Sequence, residues 1–208
     1  MKVNTIIFDF DGTIAQSLES MFMIFNRISG EYGFNKIDIK KVDTYRSKGV
    51  REVLKEMAIP IYKLPFIEKR FQQELSKEIE KIKPYEGLVD LLIGLNKKRI
   101  MMGILSSNSE YNVKRFLKNN KIDFFNFVYS GSSIFGKGKV LKRLIKSKKL
   151  DAEGVVYVGD ETRDIQAAKE VGTKSIAVTW GLNTKEPLSL ANPDWIIDTP
   201  KQLLDIFR

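Results

Sequence analysis

Two aspartates one residue apart are the first chemical feature of the chain, in Asp9-Phe10-Asp11-Gly12-Thr13. Alternate side chains of an extended backbone point the same way, so Asp9 and Asp11 can converge on one site. Crowded carboxylates repel and partly protonate unless a cation neutralises them. Gly12 lets the backbone turn sharply just after them. Alone, the motif also reads as a strand exit with aspartate as a turn former. A second acidic cluster follows much later, Gly159-Asp160-Glu161-Thr162-Arg163-Asp164. A helix N-terminus, where the macrodipole favours anions, accounts for Asp164 or Glu161. It hardly accounts for Asp160 together with the Asp9–Asp11 pair. Clustered hard oxygen ligands, in a chain with no histidine and no cysteine, point to Mg²⁺.

Two polar clusters lie between the acidic ones. Ser106-Ser107-Asn108-Ser109 offers hydroxyls and backbone N–H groups that suit a phosphate, or simply caps a helix over Glu110–Lys118. Gly131-Ser132-Ser133-Ile134-Phe135-Gly136-Lys137-Gly138-Lys139 brings a lysine that could neutralise phosphate oxygens. Lys137–Lys149 holds seven Lys or Arg residues. Most belong to the wet face of an amphipathic helix, and only Lys137, or failing it Lys139, is a site candidate.

Four of these clusters follow short apolar runs, which is where a parallel sheet presents its ligands. The runs are Thr5–Phe8, Ile100–Leu105, Phe127–Tyr129, Val155–Val158 and Ser175–Val178, each read as a strand covered on both faces. Helical stripes alternate with them: Leu88/Leu91/Leu92/Leu95, Val113/Phe116/Leu117, Val140/Leu141/Leu144/Ile145, and Ile165/Ala168/Val171 ended by Gly172 as a C-cap. The alternation predicts an α/β fold with a doubly wound parallel sheet, Rossmann-like. Residues 16–83 break it. They carry no strand run and predict helices over Leu18–Tyr32, Val50–Met57 and Phe66–Ile82. The last has Pro65 in its first turn, a charged face through Glu68, Lys69, Glu74, Lys77, Glu78 and Lys81, and Pro84 as its stop. The expected organisation is a catalytic core of 1–15 and 84–208, interrupted by an all-helical unit of 16–83.

Composition removes whole classes of chemistry. Without cysteine there is no disulfide, thiol nucleophile or cysteine zinc site. Without histidine there is no serine–histidine triad, so acid–base work falls to carboxylates, lysine or tyrosine. The net charge of +9 could serve nucleic acid or an anionic substrate. Interspersed acidic residues favour a solvated, lysine-rich surface instead. No apolar run is long enough for a bilayer, and the N-terminus has no signal-peptide pattern. The expectation is a soluble, cytoplasmic protein with no membrane partner. The sequence carries no reading of oligomeric state.

The four clusters, in this order, resemble the haloacid dehalogenase superfamily, from Lys2 to the end of the chain. DxDGT after a first strand and GDxxxD after a later one are its specific motifs. The resemblance is to the phosphoglycolate phosphatase-like branch, which carries a helical cap between the first and second motifs, where 16–83 falls. Thr179-Trp180-Gly181 after the fifth strand is also similar to that branch. What this implies is a Mg²⁺-dependent phosphatase acting on a small phosphorylated metabolite, phosphoglycolate first among them, through an aspartyl-phosphate.

By the same resemblance Asp9 is the nucleophile and a metal ligand. Asp11 is the general acid and base, and its backbone carbonyl meets the metal. Asp160 is a further ligand. Ser106 and Lys137 join the catalytic set, and Gly12, Thr13, Ser106, Ser107 and Lys137 surround the phosphate. Asp164 orients the lysine or a metal-bound water, and Glu161 acts through water. Arg46 and Lys48, in Tyr45-Arg46-Ser47-Lys48-Gly49, are the expected readers of the substrate's other end. Two departures stand out: Gln16 where many relatives have Asp, and no Lys-Pro pair in the lysine motif. A sugar phosphomutase on the same fold is the alternative, and a non-catalytic nucleic-acid-binding protein a more distant one. Asp11 argues against dehalogenation, since that branch typically lacks the second acid.

Overall fold

The computed structural model describes residues 3–131 and 136–207. Lys2, where the resemblance begins, and Ser132–Phe135 of the lysine cluster lie outside that range.

Six strands form one parallel sheet: β1 (Thr5–Phe8), β2 (Met101–Ser106), β3 (Phe127–Ser130), β4 (Val155–Gly159), β5 (Lys174–Val178) and β6 (Trp195–Ile197). Their order is β3-β2-β1-β4-β5-β6, so the chain winds outward from β1 in one direction and then the other. Successive side chains leave opposite faces. Ile6, Phe8, Val156 and Val158 pack with α5 (Leu88–Lys97), α6 (Glu110–Asn119) and α10 (Pro200–Ile206). Ile7, Val155 and Tyr157 pack with α7 (Lys137–Ser147) and α8 (Thr162–Val171). Both faces are covered, and this is why the strand runs read as continuously apolar. The expected doubly wound α/β fold is the fold found.

The sequence reading missed β6, together with α9 (Lys185–Leu190) and α10. A strand of three residues, two of them half-buried at the sheet edge, has no periodicity to detect. For α10 a signal was present. Thr199 and Gln202 form a capping box with Pro200 in the first turn, a recognised helix start.

Between β1 and β2 the chain forms α1 (Leu18–Tyr32), α2 (Val42–Arg46), α3 (Val50–Glu56) and α4 (Leu64–Glu78). Ile28, Tyr45, Met57 and Ile67 build a hydrophobic cluster of their own here. The short α2 escaped the sequence reading. Helix α4 also runs over Leu64–Glu78 rather than the expected Phe66–Ile82. The chain must extend to rejoin the sheet: Gln16 N–H donates to Lys83 C=O at 2.9 Å, and Ala15 bridges Pro84. The excursion thus leaves and returns side by side, just beyond the end of β1. Glu74, expected on the charged face, is buried at 3% exposure. It accepts from Arg27 of α1 at 2.9 Å and from Arg70 and Lys77 at 2.5 Å each, which satisfies its charge and holds its carboxyl down at about 2. No helix among the described residues is long and apolar enough to cross a membrane.

Candidate active site

Strands β1 and β4 are neighbours and run in the same direction, so the residues that follow them emerge together. Asp9 continues the pairing, its N–H donating to Val158 C=O at 2.8 Å. Asp160 comes directly after β4. Asp164 sits in the first turn of α8, where one carboxylate oxygen accepts from the Glu161 N–H at 3.0 Å. Carboxylate oxygens of Asp9, Asp160 and Asp164 lie within 4.8 Å of one another, and the three residues are 4%, 0% and 1% exposed.

Glycines make room for this packing. Gly12 has a φ of +81°, and a Cβ there would stand 2.2 Å from Asp160 Oδ2. A Cβ on Gly181 would stand 2.2 Å from Asp160 Cβ. Asp160 is held from two sides, by the Thr13 hydroxyl at 2.7 Å and the Leu182 N–H at 2.7 Å. Thr13, expected at the phosphate, is fully buried with its hydroxyl donated to Asp160.

Lys137, at the start of α7, reaches in with its Nζ 3.0 Å from Asp9 Oδ1 and in contact with Asp164 Oδ1. Its Nζ also lies 5.6 Å from the centre of the Tyr157 ring. Lys139 is exposed on the same helix, so of the two candidate lysines the fold brings only Lys137 to the carboxylates. At the end of β2 the serine cluster divides its work. Ser109 caps α6 by accepting from Asn112 N–H at 3.2 Å. Ser106 Oγ accepts from Asn108 N–H at 2.9 Å. Asn108 Nδ2 donates to Asp11 Oδ2 at 3.2 Å, and Ser107 and Asn108 face the same cavity as Asp9 and Asp11. Asp11 is therefore beside the three-carboxylate group but its side chain is not part of it.

Burial dominates the electrostatics. It pushes the Asp9 carboxyl up to about 7, against the pull of Lys137 and with a further push from Asp164. It raises Asp160 well above the ordinary range, helped by Asp9 and Glu161. It raises Asp11 too, opposed by the nearby Ser17 hydroxyl and by the Asn108 amide. For Lys137 burial acts downward, but Asp164 and Asp9 outweigh it and hold the ammonium well above its usual value. One ammonium is shared among several buried carboxylates, while Asp11 Oδ1 and Glu161 Oε2 are buried without a hydrogen-bond partner. All-oxygen donors with this charge fit a hard divalent cation.

Several contributors were missed from sequence. Arg163 faces the cavity and pairs with Glu161 at 2.5 Å; it lay inside the second acidic motif without a role. Asn108 was visible in the serine cluster but not singled out. Of the Gly181–Asn183 turn the sequence marked only Gly181, in Thr179-Trp180-Gly181. The turn receives Arg46, whose Nη2 and Nε donate to the Gly181 and Leu182 carbonyls at 2.9 and 3.0 Å. Asn183 Nδ2 answers by donating to the Arg46 and Lys48 carbonyls at 2.9 and 3.2 Å. Arg46, expected to read substrate, is thus occupied in joining the helical segment to the core. Lys48 does line the cavity, with its Nζ 2.5 Å from Glu56.

Comparison with known proteins agrees with this geometry. The family model of the haloacid dehalogenase-like hydrolases matches residues 6–178. A phosphoglycolate phosphatase from Synechococcus elongatus is 34% identical over 97% of this chain and 96% of its own. The pyrophosphatase PpaX of Bacillus mycoides is 27% identical over 99% of this chain and 97% of its own. A haloacid dehalogenase-like family hydrolase from Streptococcus pneumoniae superposes with a TM-score of 0.83 at 22% identity, covering 100% of this chain and 99% of that one. With its motifs on neighbouring strand ends and these relatives along its whole length, the chain belongs to the haloacid dehalogenase-like hydrolase family and is a phosphatase.

Proposed function

We propose that the chain hydrolyses small phosphate monoesters with Asp9 as nucleophile and Mg²⁺ as its cation. The observation that carries this reading is the Lys137 Nζ at 3.0 Å from Asp9, with Asp160 and Asp164 crowded against the same oxygens and Asp11 facing the same cavity. Asp9 and Asp160, with the Asp11 backbone carbonyl, would hold Mg²⁺. Bound there, the ion supplies positive charge to the phosphoryl oxygens.

Asp9 attacks phosphorus, forming a carboxyl–phosphate bond as the ester P–O bond breaks. Asp11 delivers a proton to the departing alcohol oxygen. Burial, by raising the Asp11 carboxyl, supports its carrying that proton near neutrality. Asp11 then takes a proton from water, which attacks phosphorus, releases inorganic phosphate and restores Asp9. Lys137 steadies the Asp9 carboxylate and the phosphoryl charge, while Ser106 and Ser107 complete the phosphate's surroundings. Asp164 orients Lys137, and Glu161 holds Arg163.

Residues 16–83 act in this reading as a cap on a core of 1–15 and 84–208. A cavity of about 250 Å³ between helices α1, α4 and the strand ends supports a small-molecule substrate over a polymer. Phosphoglycolate, the substrate in the name of the Synechococcus elongatus relative, is the reference substrate. Asp9→Asn tests the nucleophile: Mg²⁺-dependent phosphate release from p-nitrophenyl phosphate should fall at least about a thousandfold with an unchanged circular dichroism spectrum. Wild-type turnover by the variant would refute the assignment.

A further inference from the structure

Much of the cavity wall is apolar. It includes Phe22 and Phe25 of α1, Leu54 of α3, and Ile67, Phe71 and Leu75 of α4. Phe22, Phe25, Leu54 and Phe71 are only half-buried. Close packing is the rule in protein interiors, and an apolar lining left unfilled forgoes contacts. The same space opens onto Asp9 and Asp11, so its natural occupant is the alcohol part of the ester being cleaved.

The charges on the walls narrow that alcohol further. Among the described lining residues the cations are Lys48 and Arg163. Lys48 Nζ is 2.5 Å from Glu56 Oε2, and Arg163 Nη2 is 2.5 Å from Glu161 Oε1. Arg163 also lines the small cavity shared by Ser106, Ser107 and Lys137, which assigns it to the phosphoryl end. A second anionic group on the substrate would be desolvated against aromatic and aliphatic side chains, and would compete with Glu56 for Lys48.

We infer that the preferred substrate is a phosphate monoester of an apolar alcohol, aryl or short-chain alkyl, with no carboxylate on its leaving group. The inference rests on the phosphatase reading of the same site, and deepens it. The test is phosphate release by the full-length chain with Mg²⁺ from methyl, ethyl, butyl and phenyl phosphate, 3-carboxypropyl phosphate and phosphoglycolate. From methyl to butyl, kcat/KM should rise about fourfold per methylene, the factor that ~0.8 kcal/mol per buried CH₂ gives. Butyl and phenyl phosphate should exceed phosphoglycolate at least tenfold, and the terminal carboxylate should cancel the gain from chain length. A flat series, or phosphoglycolate ahead of butyl phosphate, overturns the inference and leaves the phosphatase reading intact. No release from any ester overturns both. Leu54→Lys, checked for folding by circular dichroism, should shift the ratio at least tenfold toward phosphoglycolate. An unchanged ratio in the folded variant overturns the placement of the leaving group.

Discussion

Replacing Lys137 with methionine removes the cation between Asp9 and Asp164 while keeping most of the side chain's volume. Lys137 is only 9% exposed in its side chain and lies 3.0 Å from Asp9. At that distance and an effective dielectric near 20, the attraction is on the order of 5 kcal/mol. Relief of the lysine's own desolvation offsets part of it, so the net loss should fall in the ~3–5 kcal/mol range typical of a broken buried pair. The sign depends on pH. Lys137 pulls the Asp9 carboxyl down, and still leaves it at about 7 in the folded protein. Without Lys137 it rises further, so Asp9 is neutral at pH 5.5 and carries uncompensated charge only in more alkaline solution. The destabilisation should therefore be smaller at pH 5.5, where the contact with Asp164 is still lost, than past pH 7, where the Asp9 charge is added. Urea unfolding of the metal-free protein, followed by fluorescence of Trp180 and Trp195, measures this directly. Phosphate release should fall about 10²–10³-fold, as when one electrostatic stabiliser is removed. Lys139→Met, at an exposed position, should match wild type. Equal destabilisation at both pH values, a rate within threefold of wild type, or an equal loss in Lys139→Met would refute the role given to Lys137.

Two further predictions follow from the same carboxylates. Mg²⁺ should stabilise the protein more at pH 8 than at pH 5.5. Asp9 titrates at about 7 when folded against 3.8 as a free side chain, so the metal-free fold binds the extra proton and loses stability as pH climbs from about 4 to about 7. The loss is at most on the order of 4 kcal/mol. Mg²⁺ needs the ionised carboxylate and restores what was lost; thermal melts with Mg²⁺ and with EDTA at both pH values check this, and equal gains would contradict it. Gly12→Ala should cost at least about 1–2 kcal/mol for the left-handed backbone. Because the new Cβ falls 2.2 Å from Asp160 Oδ2, it should also weaken Mg²⁺ binding more than tenfold in calorimetric titration. Unaltered affinity would mean that Asp160 can move away without consequence.

Much of the site was legible because its residues are tied to strand ends by local pattern. Buried parallel strands are short apolar runs, and in such a sheet the groups that follow them converge, so Asp9, Lys137 and Asp160, which the fold brings together, could be proposed from the linear chain. The doubly wound core was legible for the same reason, and so were the left-handed Gly172 cap and the place of Pro65 in the first turn of α4. What escaped had no local cause. Glu74 reads as one more charge on a helix, and only the packing of α1 against α4 brings Arg27 to it and buries it. Arg46 reads as a substrate-binding arginine, but the Gly181 and Leu182 carbonyls that take its guanidinium are 135 and 136 residues away. Serine hydroxyls before a helix can bind phosphate or cap. Only the folded chain shows that Ser109 caps α6 while Ser107 and Asn108 face the cavity of Asp9 and Asp11. The sequence by itself determined which residues could carry the chemistry, since residue type and strand-end spacing are written along the chain. The tertiary structure alone decided how their charges balance and what surrounds the substrate. Burial, ion pairing and the apolar walls contributed by α1, α3 and α4 arise only when segments distant in sequence close on one another.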